Sequence, residues 1–169
     1  RSLPQYPQRV AVISSTKAAG YADFMKISGE RWGGVKFVVA NVNVQGANAA
    51  DQAVRAISYF NQMPESPDVI VLIRGGGSAE DLASFNDEKL VRAVASSRIP
   101  TMTGIGHEID ESLCDLAADA RAATPSNAAQ LLFPDKREVI RHLHYRLIDV
   151  KDSICRAIEE QSLNATMLQ

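Results

Sequence analysis

The run Val69-Ile-Val-Leu-Ile73, followed at once by Arg74-Gly-Gly-Gly-Ser78, decides the fold. Five consecutive apolar residues, four of them β-branched, read as a strand buried on both faces. Such strands belong to parallel sheets covered by helices above and below. Working outward, apolar runs rich in β-branched residues recur at 10–13 and 35–44, and a less pure run, containing Pro100, spans 99–105. Stretches favouring helix lie between them, at 18–30, 47–62 and 80–97. Strands alternating with helices of this length imply right-handed crossovers and a parallel sheet. The fold class expected is α/β: a three-layer sandwich with a mostly parallel sheet, followed by a long C-terminal helix. Ligands of such sheets collect outside the carboxyl ends of the strands, so the loops after Ile13, Val44, Ile73 and Ile105 are where chemistry is sought.

Composition narrows the function classes. With 169 residues, one domain is the default. Hydrophobic residues at 46% and charged ones at 22% exclude intrinsic disorder and low-complexity chains. The 18 basic and 20 acidic side chains leave a net charge of -2, which argues against nucleic-acid binding by bulk charge alone. Two cysteines, Cys114 and Cys155, are too few for a disulfide framework and lack metal-ligand spacing, pointing to a reducing cytosol. No apolar run approaches the roughly 18 residues of a membrane span. Opening on Arg1 and stopping inside a helical pattern, the chain reads as an excised piece of a longer protein.

The last quarter changes character. Thr124-Pro125 marks a helix start, a hydroxyl cap followed by proline at the first helical position, and a second start follows Pro134. From there Ile140, Leu143, Leu147, Val150, Ile154 and Ala157 recur at alternating spacings of three and four. This is the stripe either of an amphipathic helix or of the root of a coiled coil. The domain division expected is 1–133 for the α/β domain and 134–169 for the start of a coiled-coil segment. His142 and His144 lie beside the stripe and read as ordinary surface residues.

Three loops carry groups that can do chemistry. In the first, Gly75, Gly76 and Gly77 leave backbone amides unobstructed, and with Ser78 and the helix that follows they can cradle a phosphate. Arg74, at the mouth of this loop, adds a planar donor fork suited to phosphate. The spacing fits neither the Walker loop nor the dinucleotide fingerprint. In the second, Gly104-Ile-Gly-His-Glu-Ile-Asp110 ends the next strand. His107 there can serve as general acid, general base or nucleophile, with Asp110 three residues on to orient it. His107, Glu108 and Asp110, with Asp23, are also chemically acceptable to a hard divalent ion, but they lack the paired histidines of zinc hydrolases. In the third, Ser14-Ser-Thr-Lys17 enters a helix carrying Asp23, and Lys17 at that helix start suits an anion.

These residues together resemble the large subunit of bacterial exonuclease VII. The resemblance rests on Arg74-Gly-Gly-Gly-Ser-Ala-Glu-Asp-Leu-Ala-Ser-Phe-Asn-Asp-Glu88 and on Gly106-His-Glu-Ile-Asp110. Ala118-Asp-Ala-Arg-Ala-Ala-Thr-Pro-Ser126, and Val44-Gln-Gly46 with Ala49-Ala50, continue it. It covers residues 7 to 134. One departure stands in the first loop, where Ala22 takes the place of a usual arginine. The resemblance implies hydrolysis of single-stranded DNA from both ends, with 5′-phosphorylated products and no required metal or other cofactor. It also implies a cytoplasmic protein with an N-terminal OB-fold, and several copies of a small subunit held on the C-terminal helical segment. Carried over residue by residue, the catalytic set is His107, Asp110, Arg74 and Asp23. Gly75, Gly76, Gly77, Ser78, Arg121 and Lys17 would hold phosphate or DNA. Two other readings stay open: an enzyme acting on a nucleotide or sugar phosphate, and a non-catalytic module that binds single strands or scaffolds an assembly.

Overall fold

A computed structural model describes residues 1–46, 48–75, 79–106 and 111–167. In chain order its elements are β1 (Arg9–Ser14), α1 (Ala19–Arg31), β2 (Lys36–Asn41), α2 (Ala49–Gln62) and β3 (Val69–Ile73). A 3₁₀ stretch (Ala79–Asn86) and α3 (Glu88–Ser96) follow, then β4 (Thr101–Gly104), α4 (Leu113–Ala117), β5 (Ala120–Arg121), α5 (Pro125–Leu132) and α6 (Lys136–Met167). The strands form one sheet of order β2-β1-β3-β4-β5, and all four neighbouring pairs are parallel. The α/β expectation therefore holds, and every residue of β3 is buried.

Side-chain alternation builds the three layers. Ala11, Ile13, Ile70 and Leu72 point into one core with Ile57 and Phe60 of α2 and Leu90 and Val94 of α3. Val10, Val12, Val69, Val71 and Ile73 point into the other, with Phe24 of α1 and Ala128, Ala129 and Leu132 of α5. There the rings of Phe24, Phe37 and Phe133 meet pairwise with centroids 6.1 to 6.2 Å apart, two of the three contacts edge-on. Such pairs add about 0.5–1.5 kcal/mol beyond simple burial.

Several boundaries differ from the sequence reading, each for a local reason. The run at 35–44 yields a strand only over Lys36–Asn41. Beyond it the Asn43 amide donates to the Gln52 side chain at 2.8 Å instead of to a strand, while Val42 and Val44 still enter the core. The run at 99–105 shortens to Thr101–Gly104; Pro100 brings no N–H, and its carbonyl accepts from Ile70 at 2.9 Å. The helix expected over 80–97 is broken in two. Asp87 accepts from the amides of Lys89 (2.8 Å) and Leu90 (3.2 Å), so it caps α3 and stops the preceding turns from running into it. The sequence reading omitted α4 and β5, the latter only two residues long.

The predicted start at Thr124-Pro125 is observed, with the Thr124 hydroxyl accepting from Asn127 N at 3.1 Å. The chain separates into two units, Arg1–Pro134 and Asp135–Gln169. In the second, the stripe residues Ile140, Leu143, Leu147, Val150 and Ile154 are exposed on α6, as are His142 and His144. Among the described residues no helix is long and apolar enough to cross a membrane.

Candidate active site

In this strand order the chain leaves β1 for β2 on one side and later returns to β3 on the other. That reversal marks the carboxyl ends of β1 and β3 as the place where doubly wound sheets bind their ligands. The loops that the sequence singled out after Ile13 and after Ile73 lie side by side at this point.

Their backbones touch. A Cβ placed on Gly20, in the first turn of α1, would lie 2.7 Å from Gly75 Cα and 2.8 Å from Pro125 Cγ. A Cβ on Gly75 would meet Gly20 N at 3.0 Å and Ala18 Cβ at 3.2 Å. At Gly20 an added Cβ would force a neighbour to shift, whereas at Gly75 the neighbours would have to give by only a few tenths of an ångström; neither glycine has a positive φ. The first loop is also tied sideways to β2, since Thr16 N and Oγ1 both donate to Asn41 Oδ1, at 3.0 and 3.2 Å.

Arg74 extends the β3–β4 ladder by one step, its amide donating to Gly104 O at 3.2 Å. The sequence placed it at the mouth of the loop, but it is only 4% exposed. Its burial accompanies a ladder that continues one residue past the end of β3. A guanidinium so placed acts through a lower dielectric than a surface arginine does.

Lys17 and Asp23 are exposed on the first loop and the second turn of α1. Among the described residues neither makes an ion pair. Arg121 closes β5 at the same edge, half-buried and paired with Glu111. His107 and Asp110, with Glu108, lie outside the described residues, as do Gly76, Gly77 and Ser78. The described chain runs to Gly106 past the carboxyl end of β4 and resumes at Glu111. Among the described residues no three His, Cys, Asp or Glu side chains converge as a metal site.

The sequence reading missed the fastenings of this edge. At the start of α4, Ser112 and Asp115 form a reciprocal capping box: Ser112 N donates to Asp115 Oδ2 at 2.9 Å and Asp115 N to Ser112 Oγ at 3.2 Å. Asn86 Oδ1 accepts from Leu113 N at 2.7 Å, joining the end of the 3₁₀ stretch to α4. The Ser-x-x-Asp spacing was a legible signal for the first, whereas nothing local announces the second. Beneath them Cys114 is fully buried. Desolvation, followed by the charges of Asp115 and Asp87, pushes its thiol up to about 12, so it stays protonated and is no nucleophile.

In a charged cleft elsewhere, three of the ionic side chains are committed to structure. A cleft of about 510 Å³ at the amino end of the sheet is lined by Arg9, Lys36, Glu65 and Asp68. There Arg9 pairs with Glu65, and the Asp68 carboxylate accepts from the amides of Gln8 (2.7 Å) and Arg9 (2.8 Å).

Comparison with known proteins shows the family. The family model for "Exonuclease VII, large subunit" matches residues 1–169. A Rhodopirellula baltica protein named exodeoxyribonuclease 7 large subunit is 44% identical over 143 residues, covering 85% of this chain and 32% of the relative. Proteins of the same name from Nitrosomonas eutropha and Mycobacterium tuberculosis are 40% and 45% identical, over 98% and 80% of this chain. The chain spans about a third of the length of these relatives, 32% to 37%.

Proposed function

This chain belongs to the exonuclease VII large-subunit family, and from that premise we propose that it is the catalytic region of an exodeoxyribonuclease. It hydrolyses phosphodiester bonds of single-stranded DNA from both ends, in the cytoplasm, and needs no metal or other cofactor. The observation that carries the reading is the meeting of the loops after β1 and β3 at the switch in strand order. There a buried Arg74 stands at the root of a glycine run whose first member packs on the start of the Asp23 helix.

The chemistry follows from what such a reaction requires. A water oxygen attacks phosphorus, the bond from phosphorus to the 3′ oxygen breaks, and that oxygen takes up a proton, leaving the phosphate on the 5′ carbon of the product. Negative charge on the phosphoryl oxygens must be met by fixed donors. Arg74, the amides of the glycine run and Ser78 supply them, while Lys17 and Arg121 hold the neighbouring strand. His107 moves the proton, and Asp110 sets its tautomer or steadies its charged form. Asp23 activates the water or holds the histidine. The exposed stripe of α6 is where copies of a small subunit attach, and multiple attachment raises the local concentration of sites on one strand.

The test is single-turnover digestion of end-labelled single-stranded DNA in EDTA. It uses the complete large subunit with its small subunit, wild type beside His107→Ala. A loss on the order of 100-fold or more is expected for the variant. Near-wild-type cleavage would remove His107 from the mechanism. Activity restored only by a divalent ion would make His107, Glu108 and Asp110 ligands. Turnover of nucleotide or sugar phosphates without DNA cleavage would favour the small-molecule reading, and strand binding without any cleavage the silent module.

A further inference from the structure

The sheet has two lateral edges, β2 and β5, and only one of them is blunted. β5 is two residues long and ends on Arg121, which is paired with Glu111. Shortness and charge are common guards of an open edge. β2 runs over Lys36-Phe-Val-Val-Ala-Asn41, paired with β1 in an unbroken parallel register and so without a bulge. It holds no proline, and its one charge is Lys36 at the first position. Lys36 N donates to Gln8 O at 2.8 Å, and just past the strand Val42 N donates to Ser14 O at 3.0 Å. Even-numbered residues therefore face β1, and the N–H and C=O groups of Phe37, Val39 and Asn41 face outward. Among the described residues nothing bonds to those outward groups.

We propose that a second copy of this chain pairs here, β2 against β2, antiparallel about a two-fold axis through Val39. Two-fold symmetry is the commonest way for identical chains to meet, and strands joined across such an axis run antiparallel. In that pairing two residues exchange both bonds only when the N–H and C=O of each face the other strand. With the axis at Val39, Phe37 faces Asn41 of the second copy and Val39 faces its own counterpart, so all three outward residues are satisfied. Slipped two residues further along, Phe37 faces Asn43, whose amide is already given to Gln52 Oε1. The side chains agree with the first register. Val38 lies opposite Ala40 and Lys36 opposite Val42, so no like charges meet. Phe37 and Val39 are partly buried against one core, Val38 and Ala40 against the other, and pairing extends both. The strand that satisfies this edge is thus the edge itself, which is the reason for committing to a second copy.

Asn41 joins this interface to the candidate site. Its backbone faces the second copy, while its Oδ1 accepts from Thr16 N and Oγ1 in the first loop. Antiparallel pairing turns the carboxyl ends of the two sheets in opposite directions. The experiment is disulfide trapping in the complete large subunit with its small subunit. It uses Val38→Cys/Ala40→Cys on a Cys155→Ser background, since Cys155 is exposed. Positions 38 and 40 form a non-hydrogen-bonded pair, with Cα atoms roughly 4.5 Å apart, a separation that a disulfide spans. Oxidation is expected to link two large-subunit chains, with the bridge mapped by mass spectrometry between position 38 of one and position 40 of the other. Val38→Cys alone is expected to stay unlinked, because position 38 meets its counterpart only diagonally. Adding Val39→Pro removes an outward N–H without touching the ladder to β1, and is expected to abolish the link.

Thiols left free at both positions after oxidation would overturn the proposal, the edge then being open or covered by another segment. Equal linking by Val38→Cys alone would overturn the register and the axis with it. Linking that survives Val39→Pro would show that the edge bonds are not made, and would overturn the proposal as well. Should a variant fail to fold, hydrogen exchange on the wild-type complex decides. Slow exchange is expected at the amides of Phe37, Val39 and Asn41, and exchange at the rate of open backbone would overturn the proposal. None of these outcomes depends on DNA cleavage, so the proposal stands or falls apart from the nuclease reading.

Discussion

The two ends of the same sheet differ in how far their charges are tied down. At the amino end, Arg9 pairs with Glu65, Asp68 accepts two backbone amides, and Asp119 accepts from both Thr101 N (2.9 Å) and Thr101 Oγ1 (3.1 Å). Ionic groups there close the open ends of strands. At the carboxyl end glycines take the close-packed positions, and Lys17 and Asp23 are exposed. At the carboxyl edge Arg121 is still paired with Glu111 and Asp115 still caps α4, but Lys17 and Asp23 make no ion pair among the described residues. Backbone topology makes the difference, because only the carboxyl edge contains the reversal between β1 and β3.

The largest test of this contrast is Arg74→Ala. Removing a fixed donor from the developing phosphoryl charge is expected to lower the cleavage rate by about 100- to 1,000-fold, measured at saturating strand. Arg74→Lys should recover little, because an ammonium lacks the planar fork. Retained activity in the alanine variant would erase the distinction between the edges.

The matching change at the amino edge is Asp68→Ala. It leaves two amides to water at an exposed position, so a loss of roughly 1 kcal/mol in stability is expected by denaturant unfolding, with the rate constant of cleavage unchanged. A cleavage defect exceeding the stability loss would mean that the amino edge also serves the reaction.

The smallest effect concerns the cysteines. Cys155 is exposed and Cys114 buried, with the Cys114 thiol at about 12 against an ordinary 9.0. At pH 8 a thiol reagent is expected to label one cysteine per native chain and two after unfolding, counted by mass. The raised value also has a sign for stability. The folded state holds this proton more tightly, so the contribution is complete below pH 9 and is lost as pH rises from about 9 towards 12. Rapid labelling of Cys114 in the native protein would show that the floor of α4 opens to solvent.

Much of this architecture was legible in the residues themselves. Val69–Ile73 announced a doubly covered strand because an unbroken apolar run has no other stable place in a chain of this composition. Thr124-Pro125 announced a helix start because capping is local chemistry. The glycine run, the histidine loop and Asp23 were recognisable as residue types suited to phosphate and proton transfer. The elements that escaped were held by distant partners. β5 is a two-residue strand set by pairing with β4, and the break at Asp87 shows a side-chain cap overriding a helix-favouring stretch.

What the sequence determined by itself, then, is the alternation of strand and helix, the residue chemistry at the strand ends and the stripe on α6, all of which depend on neighbours a few positions away. Tertiary structure alone decided the strand order that brings the loops after β1 and β3 together, and the burial of Arg74. It alone decided the contact of Gly20 with Gly75 and Pro125, residues separated by 55 and 105 positions. No local preference encodes such a meeting. It exists because the apolar faces of five parallel strands can be covered on both sides only when the chain reverses direction beside β1.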